Sequence, residues 1–364
     1  MLALLKDEKL TLLAIVATIA AYALEGTLLD AGRGSALITA GVLIGAIVCA
    51  SMRVAHHAEV LAEKVGDPYG TMILTLSAVL VEVVILAILM SHEPSPTLVR
   101  DTIYAAVMLD LNGILGLAAL LGGFKHGEQP YNDDSARTYS VMILTAMGIS
   151  MVVPEFIPSE KWHLYSIFTI GAMLVLYGVF LRMQVGAHSY FFSYSYPEKK
   201  ARKGGVAAEH PAGGSRSLSI AMLCVGVVVI GALAEVMSKA LSTGLEGSGA
   251  PPVIAAILVA AISASPEILT ALRAALANRM QSVVNIALGA SLSTVILTVP
   301  VMEAMALYTG QPFEMAMTPV QTVMVLITLI VAAINLNDGE TNAIEGMTHF
   351  VLFATFIMLS LLGL

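Results

Sequence analysis

The sequence predicts an all-α polytopic membrane protein of about 11 transmembrane helices, arranged as one helix followed by two inverted five-helix repeats. Three observations predict it. The 364 residues are 57% hydrophobic and only 12% charged, against about 25% charged in an ordinary soluble domain. The apolar residues fall in runs of about 20, the length that crosses a bilayer as a helix. A single long polar connection divides these runs into a group of six and a group of five.

Taken in order, the expected spans are 10–29, 35–54, 70–91, 98–123, 137–157, 162–186, 218–242, 250–276, 281–308, 317–335 and 343–363. The first run is long enough to span and lacks a small-residue cleavage pattern, so it reads as a membrane helix and not as a cleaved secretory signal. The connection 187–217 carries Lys199, Lys200, Arg202, Lys203 and Arg216 among Gly, Ala and Pro, the composition of a flexible linker. The expected division is an N-terminal helix in 1–30, a first repeat in 31–187, a cytoplasmic linker in 188–217 and a second repeat in 218–364. Cys49 and Cys224 both lie in apolar runs and read as inert thiols, not as a disulfide. No motif of nucleic-acid binding is present.

Lysine and arginine set the orientation, because loops facing the cytoplasm carry their excess. With the N-terminus inside, only Arg33, Arg100, Lys161 and Lys239 fall outside; the other fourteen of the eighteen lie on the cytoplasmic side. The C-terminus is then outside. For a bacterial chain this places the protein in the inner membrane, surrounded by lipid. The oligomeric state is not encoded in any feature of the sequence.

Two five-helix units in succession have opposite orientations, and such inverted repeats hold transported ions near the midplane at their interface. Glu82, in the run Ser77-Ala78-Val79-Leu80-Val81-Glu82, falls in the second helix of the first unit. Glu267, in Ser263-Ala264-Ser265-Pro266-Glu267, falls in the second helix of the second. Each is a single carboxylate deep in an apolar segment. A charge there costs roughly 2.5–3.5 kcal/mol on insertion scales, so such residues face a cavity, a partner or an ion. A pseudo-two-fold would place the two opposite each other.

Carboxylate oxygens suit hard cations. An apolar setting favours the protonated form of a carboxyl group, and two close carboxylates oppose each other's ionisation. A cation and protons therefore compete for the same groups, which is the minimum that exchange requires. Pro266 removes the helical hydrogen bond to the Ile262 carbonyl and kinks the helix, so that carbonyl, with Ser263, is expected to join Glu82 and Glu267 as a metal ligand. Ser265 lies beside them, and Thr75 and Ser77 stand near Glu82.

The next helix of each unit holds a second tier of candidates: Asp110 and Asn112 in one, Asn285, Ser291, Ser293 and Thr294 in the other. These either line the site or make helix–helix hydrogen bonds. Glu235 and Lys239 are spaced as a surface ion pair. Glu155 and Glu303 read as a solvated outer rim. His56, His57 and Glu59 read as a helix end, not a metal site, and His349 as a packing hydrogen bond. An intramembrane enzyme would need a nucleophile–base pair, paired aspartates or a zinc motif; no HExxH occurs, and an enzyme is not expected.

Several stretches together resemble the Ca²⁺/cation antiporter superfamily, in its cation/proton exchanger branch. They are Leu61-Ala62-Glu63-Lys64-Val65-Gly66 with Gly70 and Glu82; Asn278-Arg279-Met280 with Gly289 and Val299-Pro300-Val301; and Asp338-Gly339-Glu340-Thr341-Asn342-Ala343-Ile344-Glu345-Gly346, similar to the DGxSNxxEG element of that family. The resemblance covers most of the chain from about residue 58. It implies antiport of Ca²⁺, with Na⁺ or K⁺ as alternative cargo, against protons, and no cofactor. The chain departs from the family pattern where Gly-Asn precedes each glutamate by four and three residues: here Ala78-Val79 and Ser263-Ala264 stand there. Ser293 occupies the place of a family glutamine.

Overall fold

The computed structural model describes residues 8–65, 69–92, 95–185, 215–251, 253–311 and 313–364. All but the last three residues of the expected linker 188–217 lie outside the described residues. The helices are α1 (Lys9–Asp30), α2 (Arg33–Val65), α3 (Tyr69–His92), α4 (Leu98–His126), α5 (Asp133–Phe156), α6 (Trp162–Val185), α7 (Arg216–Leu245), α8 (Val253–Ser263), α9 (Ser265–Leu276), α10 (Met280–Thr309), α11 (Pro319–Asn335) and α12 (Ala343–Leu361). Among the described residues, eight of them are long and apolar enough to cross a membrane. The pair α8–α9, bent by 57°, would make a ninth crossing, and α3 and α11 carry shorter apolar stretches. Each expected span thus coincides with a helix or with the bent pair.

Small residues set the closest approaches, as they do where helices pack inside a membrane. A Cβ built on Gly226 of α7 would lie 2.5 Å from Val54 of α2, and one on Gly244 would lie 2.6 Å from Leu37. The order of these two contacts runs opposite ways along the two helices, so α2 and α7 are antiparallel. The other contacts are reciprocal. The α8–α9 pair packs on α4 while α3 packs on α10; α12 packs on α4 while α6 packs on α10; α11 touches α4 while α5 touches α10. Two inverted units about a pseudo-two-fold produce this pattern. Its outcome is that α4 and α10 are the most buried of the eight long apolar helices.

Polar residues hold α1 against α2 at one end and against α7 at the other. Glu8 accepts from Arg53 and from Thr11, and stands 3.0 Å from His57 Nε2. Burial raises the Glu8 carboxyl, but the bonds from Arg53 and Thr11 and the charges of Arg53 and His57 outweigh it and hold it below its ordinary value. At the far end Lys239 bridges Glu25 (3.0 Å) and Glu235 (3.1 Å), and the Tyr22 hydroxyl donates to Glu235 at 2.8 Å. The expected surface pair Glu235–Lys239 is therefore part of a link between α1 and α7, and His57 belongs to a second link between α1 and α2.

Connections at one end of the bundle are sewn together. Gln129–Pro130 (β1) pairs antiparallel with Glu340–Thr341 (β2). Gly339, at φ +79°, makes the turn before β2, a conformation open to glycine at little cost. Asn342 then caps α12, accepting from Ile344 and Glu345 N–H groups, as a short polar side chain does at a helix start. Lys125 and His126 reach the Leu276 carbonyl at the end of α9, where the charge of Lys125 complements the helix dipole.

α4 and α12 meet through Gly116 and Gly346. A Cβ on Gly346 would lie 2.2 Å from the Leu120 nitrogen, and one on Gly116 would lie 2.8 Å from the Phe350 nitrogen, both backbone atoms that cannot swing aside. Gly346→Val should therefore destabilise the bundle by about 1–3 kcal/mol or more, read as a lower thermal midpoint in detergent. Gly171→Ala, in open space on α6, should leave the midpoint nearly unchanged. An unaltered midpoint in Gly346→Val would contradict this packing.

Candidate functional site

Glu82 lies midway along α3 and is only 4% exposed. Its Oε2 accepts two hydrogen bonds, from the Thr294 and Thr298 hydroxyls, each at 3.0 Å. Both threonines belong to a π-helical segment of α10, Thr294–Thr298. Four residues apart, they stand about one turn from each other on one side of the helix, so both reach the same oxygen. Glu82 Oε1 is buried and has no partner among the described residues.

Asp110 lies in a second π-helical segment, Leu109–Ile114 of α4, and is 2% exposed. Its Oδ2 accepts from Ser291 of α10 at 3.0 Å. Asp110 stands within electrostatic reach of Glu267 and Glu82, and Glu267 within reach of Glu82. Short π segments inside α-helices occur disproportionately at functional sites, and here the two segments carry Asp110 and the two threonines that hold Glu82.

Glu267 reaches this group by another route. The 57° bend between α8 and α9 comes where Pro266 occupies the start of a helix, a position proline tolerates because the first N–H groups have no intrahelical partner. Glu267 therefore sits in the first turn of α9, where the helix dipole favours negative charge. The residue is partly exposed, but its Oε2 is buried and without a partner among the described residues.

The sequence candidates divide on this geometry. Glu82, Glu267, Asp110 and Ser291 come together. The kink at Pro266 does not leave the Ile262 carbonyl unpaired, because Ser265 Oγ donates to it at 2.8 Å. A serine beside the bend supplies the donor that proline removes. Ser263 likewise turns back to the Ala260 carbonyl at 3.0 Å, Ser77 to Ile73 at 2.6 Å and Ser293 to Gly289 at 2.7 Å. Thr75 is half-buried on α3. Asn112 is engaged elsewhere, with Thr328 and His349. Asn285 lies in a network with Gln281 and Ser135, nine residues and so about 13.5 Å of helix before Thr294.

Glu303 is not a solvated rim residue. It is 3% exposed, with a buried Oε2 that has no partner among the described residues, because this half of α10 packs against α6. Thr298 was not among the sequence candidates. The available signal was its spacing from Thr294 in an otherwise apolar stretch, Thr294-Val295-Ile296-Leu297-Thr298. Among the described residues no three His, Cys, Asp or Glu side chains form a ready metal cage. The three carboxylates share an electrostatic field and not a finished coordination shell.

The model of the family described as sodium/calcium exchanger protein matches the chain twice, at residues 34–186 and 218–362. The chain belongs to the sodium/calcium exchanger family. Among its relatives in this exchanger family, the putative ionic transporter y4hA of Sinorhizobium fredii is 32% identical over 330 residues, covering 89% of this chain and 88% of that protein. The sodium-potassium/proton antiporter ChaA of Escherichia coli is 32% identical over 318 residues, covering 87% and 86%. The crystal structure of the Ca²⁺/H⁺ antiporter protein YfkE has the same fold, with a TM-score of 0.73 at 19% identity, covering 96% of this chain and 99% of that one. The superfamily resemblance seen in the sequence motifs is thereby shown, and this exchanger is a multi-pass membrane protein.

The threonine pair offers a test of the site. Hydrogen bonds to charged groups contribute about 1.5–3 kcal/mol, and about 1.4 kcal/mol is tenfold in an equilibrium constant. Thr294→Val or Thr298→Val keeps side-chain shape but removes a donor that favours the ionised Glu82. Each should raise the KM for transported cation by about tenfold or more, with Thr→Ser at the same position restoring it. Normal KM in the double valine variant would separate these hydroxyls from the transport site.

Proposed function

We propose that the protein is a secondary active antiporter that exchanges Ca²⁺ for protons across the bacterial inner membrane by alternating access. The observation that carries this reading is that Glu82, Asp110 and Glu267 stand within electrostatic reach of one another, with Glu82 Oε1 and Glu267 Oε2 buried and without a partner among the described residues. Hard cations take oxygen ligands, and several carboxylates suit a divalent ion. Glu82 and Glu267 alternately hold cation or protons, and Asp110, kept in place by Ser291, adds a third carboxyl group. Rocking of the two helical units against each other exposes the group to one side at a time. The name of YfkE as a Ca²⁺/H⁺ antiporter supports Ca²⁺ as cargo.

The second reading is a Na⁺ or K⁺/proton antiporter. Two observations favour it. The Escherichia coli relative is named for sodium, potassium and protons, and the chain lacks the Gly-Asn amides that precede each glutamate in the family pattern, which removes neutral oxygen ligands. The division into an N-terminal helix at 1–30, repeats at 31–187 and 218–364, and a linker at 188–217 is supported by the limits of the two family matches. Eleven crossings, with the N-terminus in the cytoplasm and the C-terminus outside, are supported by the excess of Lys and Arg in the loops then placed inside.

Glu82→Gln and Glu267→Gln should each abolish exchange in everted vesicles supplied with Ca²⁺, Na⁺ and K⁺ in turn, with expression intact. Glutamine preserves shape but neither releases a proton nor balances a cation. Because binding needs the ionised form, Ca²⁺ added to purified protein in weak buffer should release protons, and its apparent affinity should strengthen as pH rises. Exchange at the normal rate by either variant would remove that glutamate from the mechanism.

Orientation has its own test. In a Cys49→Ala, Cys224→Ala background, Glu128→Cys should react with an impermeant thiol reagent only from the cytoplasmic side, and Glu160→Cys only from outside. Both residues are exposed. The opposite labelling pattern would reverse the topology.

A further inference from the structure

One group of buried polar side chains outside the carboxylate cluster lies between α4, α11 and α12. His349 of α12 is 2% exposed. Its Nδ1 lies 3.0 Å from Asn112 Oδ1, and Asn112 Nδ2 donates to the Thr328 hydroxyl of α11 at 2.8 Å. An amide oxygen only accepts, so Nδ1 carries the proton. Nε2 is then the bare nitrogen, and it is buried without a partner among the described residues. A buried polar atom left unpaired costs about 1–3 kcal/mol, and an apolar side chain of similar size would avoid that cost if the position served packing alone.

Asn112 is placed to matter. The π turn of α4 is closed by the Leu115 N–H donating to the Asp110 carbonyl, and Asn112 lies inside that closed turn. The same residue that opens the turn, Asp110, sends its side chain to Ser291. α12 also lies close against α4 at this point: His349 Cβ would be 2.9 Å from a Cβ built on Gly116.

We propose that His349 is a positioning residue for the cation site, acting through Asn112 to hold the π turn that directs Asp110 toward Glu82 and Glu267. Its Nδ1–H anchors one end of the Asn112 amide and Thr328 anchors the other. Together they tie α11 and α12 to the turn that carries a site carboxylate. This rests on the reading of Glu82, Asp110 and Glu267 as the cation site.

The experiment uses the full chain reconstituted in proteoliposomes, with Ca²⁺ uptake driven by an imposed pH gradient and the thermal midpoint measured in parallel. His349→Leu should raise the KM for Ca²⁺ by about two- to thirtyfold, the range of couplings transmitted through intermediate residues, with Vmax little changed. His349→Gln, whose amide N–H can donate to Asn112, should return KM toward the wild-type value. Thr328→Val, which removes the other anchor, should raise KM in the same direction. A lowered midpoint with unchanged KM in His349→Leu would overturn the proposal, as would failure of a folded His349→Gln variant to restore KM. If His349→Leu does not fold, Thr328→Val decides: raised KM supports the proposal and wild-type KM overturns it. Glu267→Gln in the same assay separates the two levels. Exchange by Glu267→Gln refutes the site itself, whereas an inactive Glu267→Gln beside a wild-type KM in His349→Leu refutes only the positioning role.

Discussion

A carboxylate enclosed by apolar helices has no water to answer it, so other parts of the same chain must. In this exchanger the answers come across the boundary between the two halves. Thr294 and Thr298 of α10 donate to Glu82 of α3, and Ser291 of α10 donates to Asp110 of α4. The bonds therefore hold together the helices that the reciprocal packing brings to the centre. Both helices depart from regular α geometry where the bonding residues lie, at Leu109–Ile114 and Thr294–Thr298. A widened turn changes which side chains face the interface without breaking the helix.

The two glutamates occupy equivalent places in their halves, yet their surroundings differ. Glu82 lies in an unbroken helix and takes its support from side chains of another helix. Glu267 lies at the start of α9, after a bend, where the helix dipole supplies part of the support and a serine closes the carbonyl that proline leaves open. Equivalent position in an inverted repeat thus does not require equivalent hydrogen bonding. Among the described residues one buried oxygen of each glutamate has no partner, which distinguishes this cluster from a fully satisfied structural network.

Much of this was legible in the sequence. Runs of about twenty apolar residues locate helices reliably because the bilayer sets their length, and each expected span coincides with a helix or with the bent pair. Glu82 and Glu267 stood out because isolated charges in such runs are costly. Asp110 and Asn112 were indistinguishable there: both are polar, two residues apart and in the same helix. The π turn sends Asp110 to Ser291, and Asn112 meets Thr328 and His349. The same limit applied to Ile262, whose carbonyl was expected to be left open by Pro266, and to Glu303, which burial against α6 removes from the solvated rim.

The sequence by itself determined that the chain is a bundle of apolar helices, where the two deep glutamates lie along it, and that proline interrupts the second of their helices. These follow from solvent and from local backbone geometry, which act on residues near one another in the chain. Tertiary structure alone decided which polar groups meet: Thr298 with Glu82, separated by 216 positions, Ser291 with Asp110, separated by 181, and His349 with Asn112, separated by 237. The physical reason is that a hydrogen bond requires atoms about 3 Å apart. Helical spacing places a side chain on a face, but only the packing of one helix against another decides what stands opposite that face.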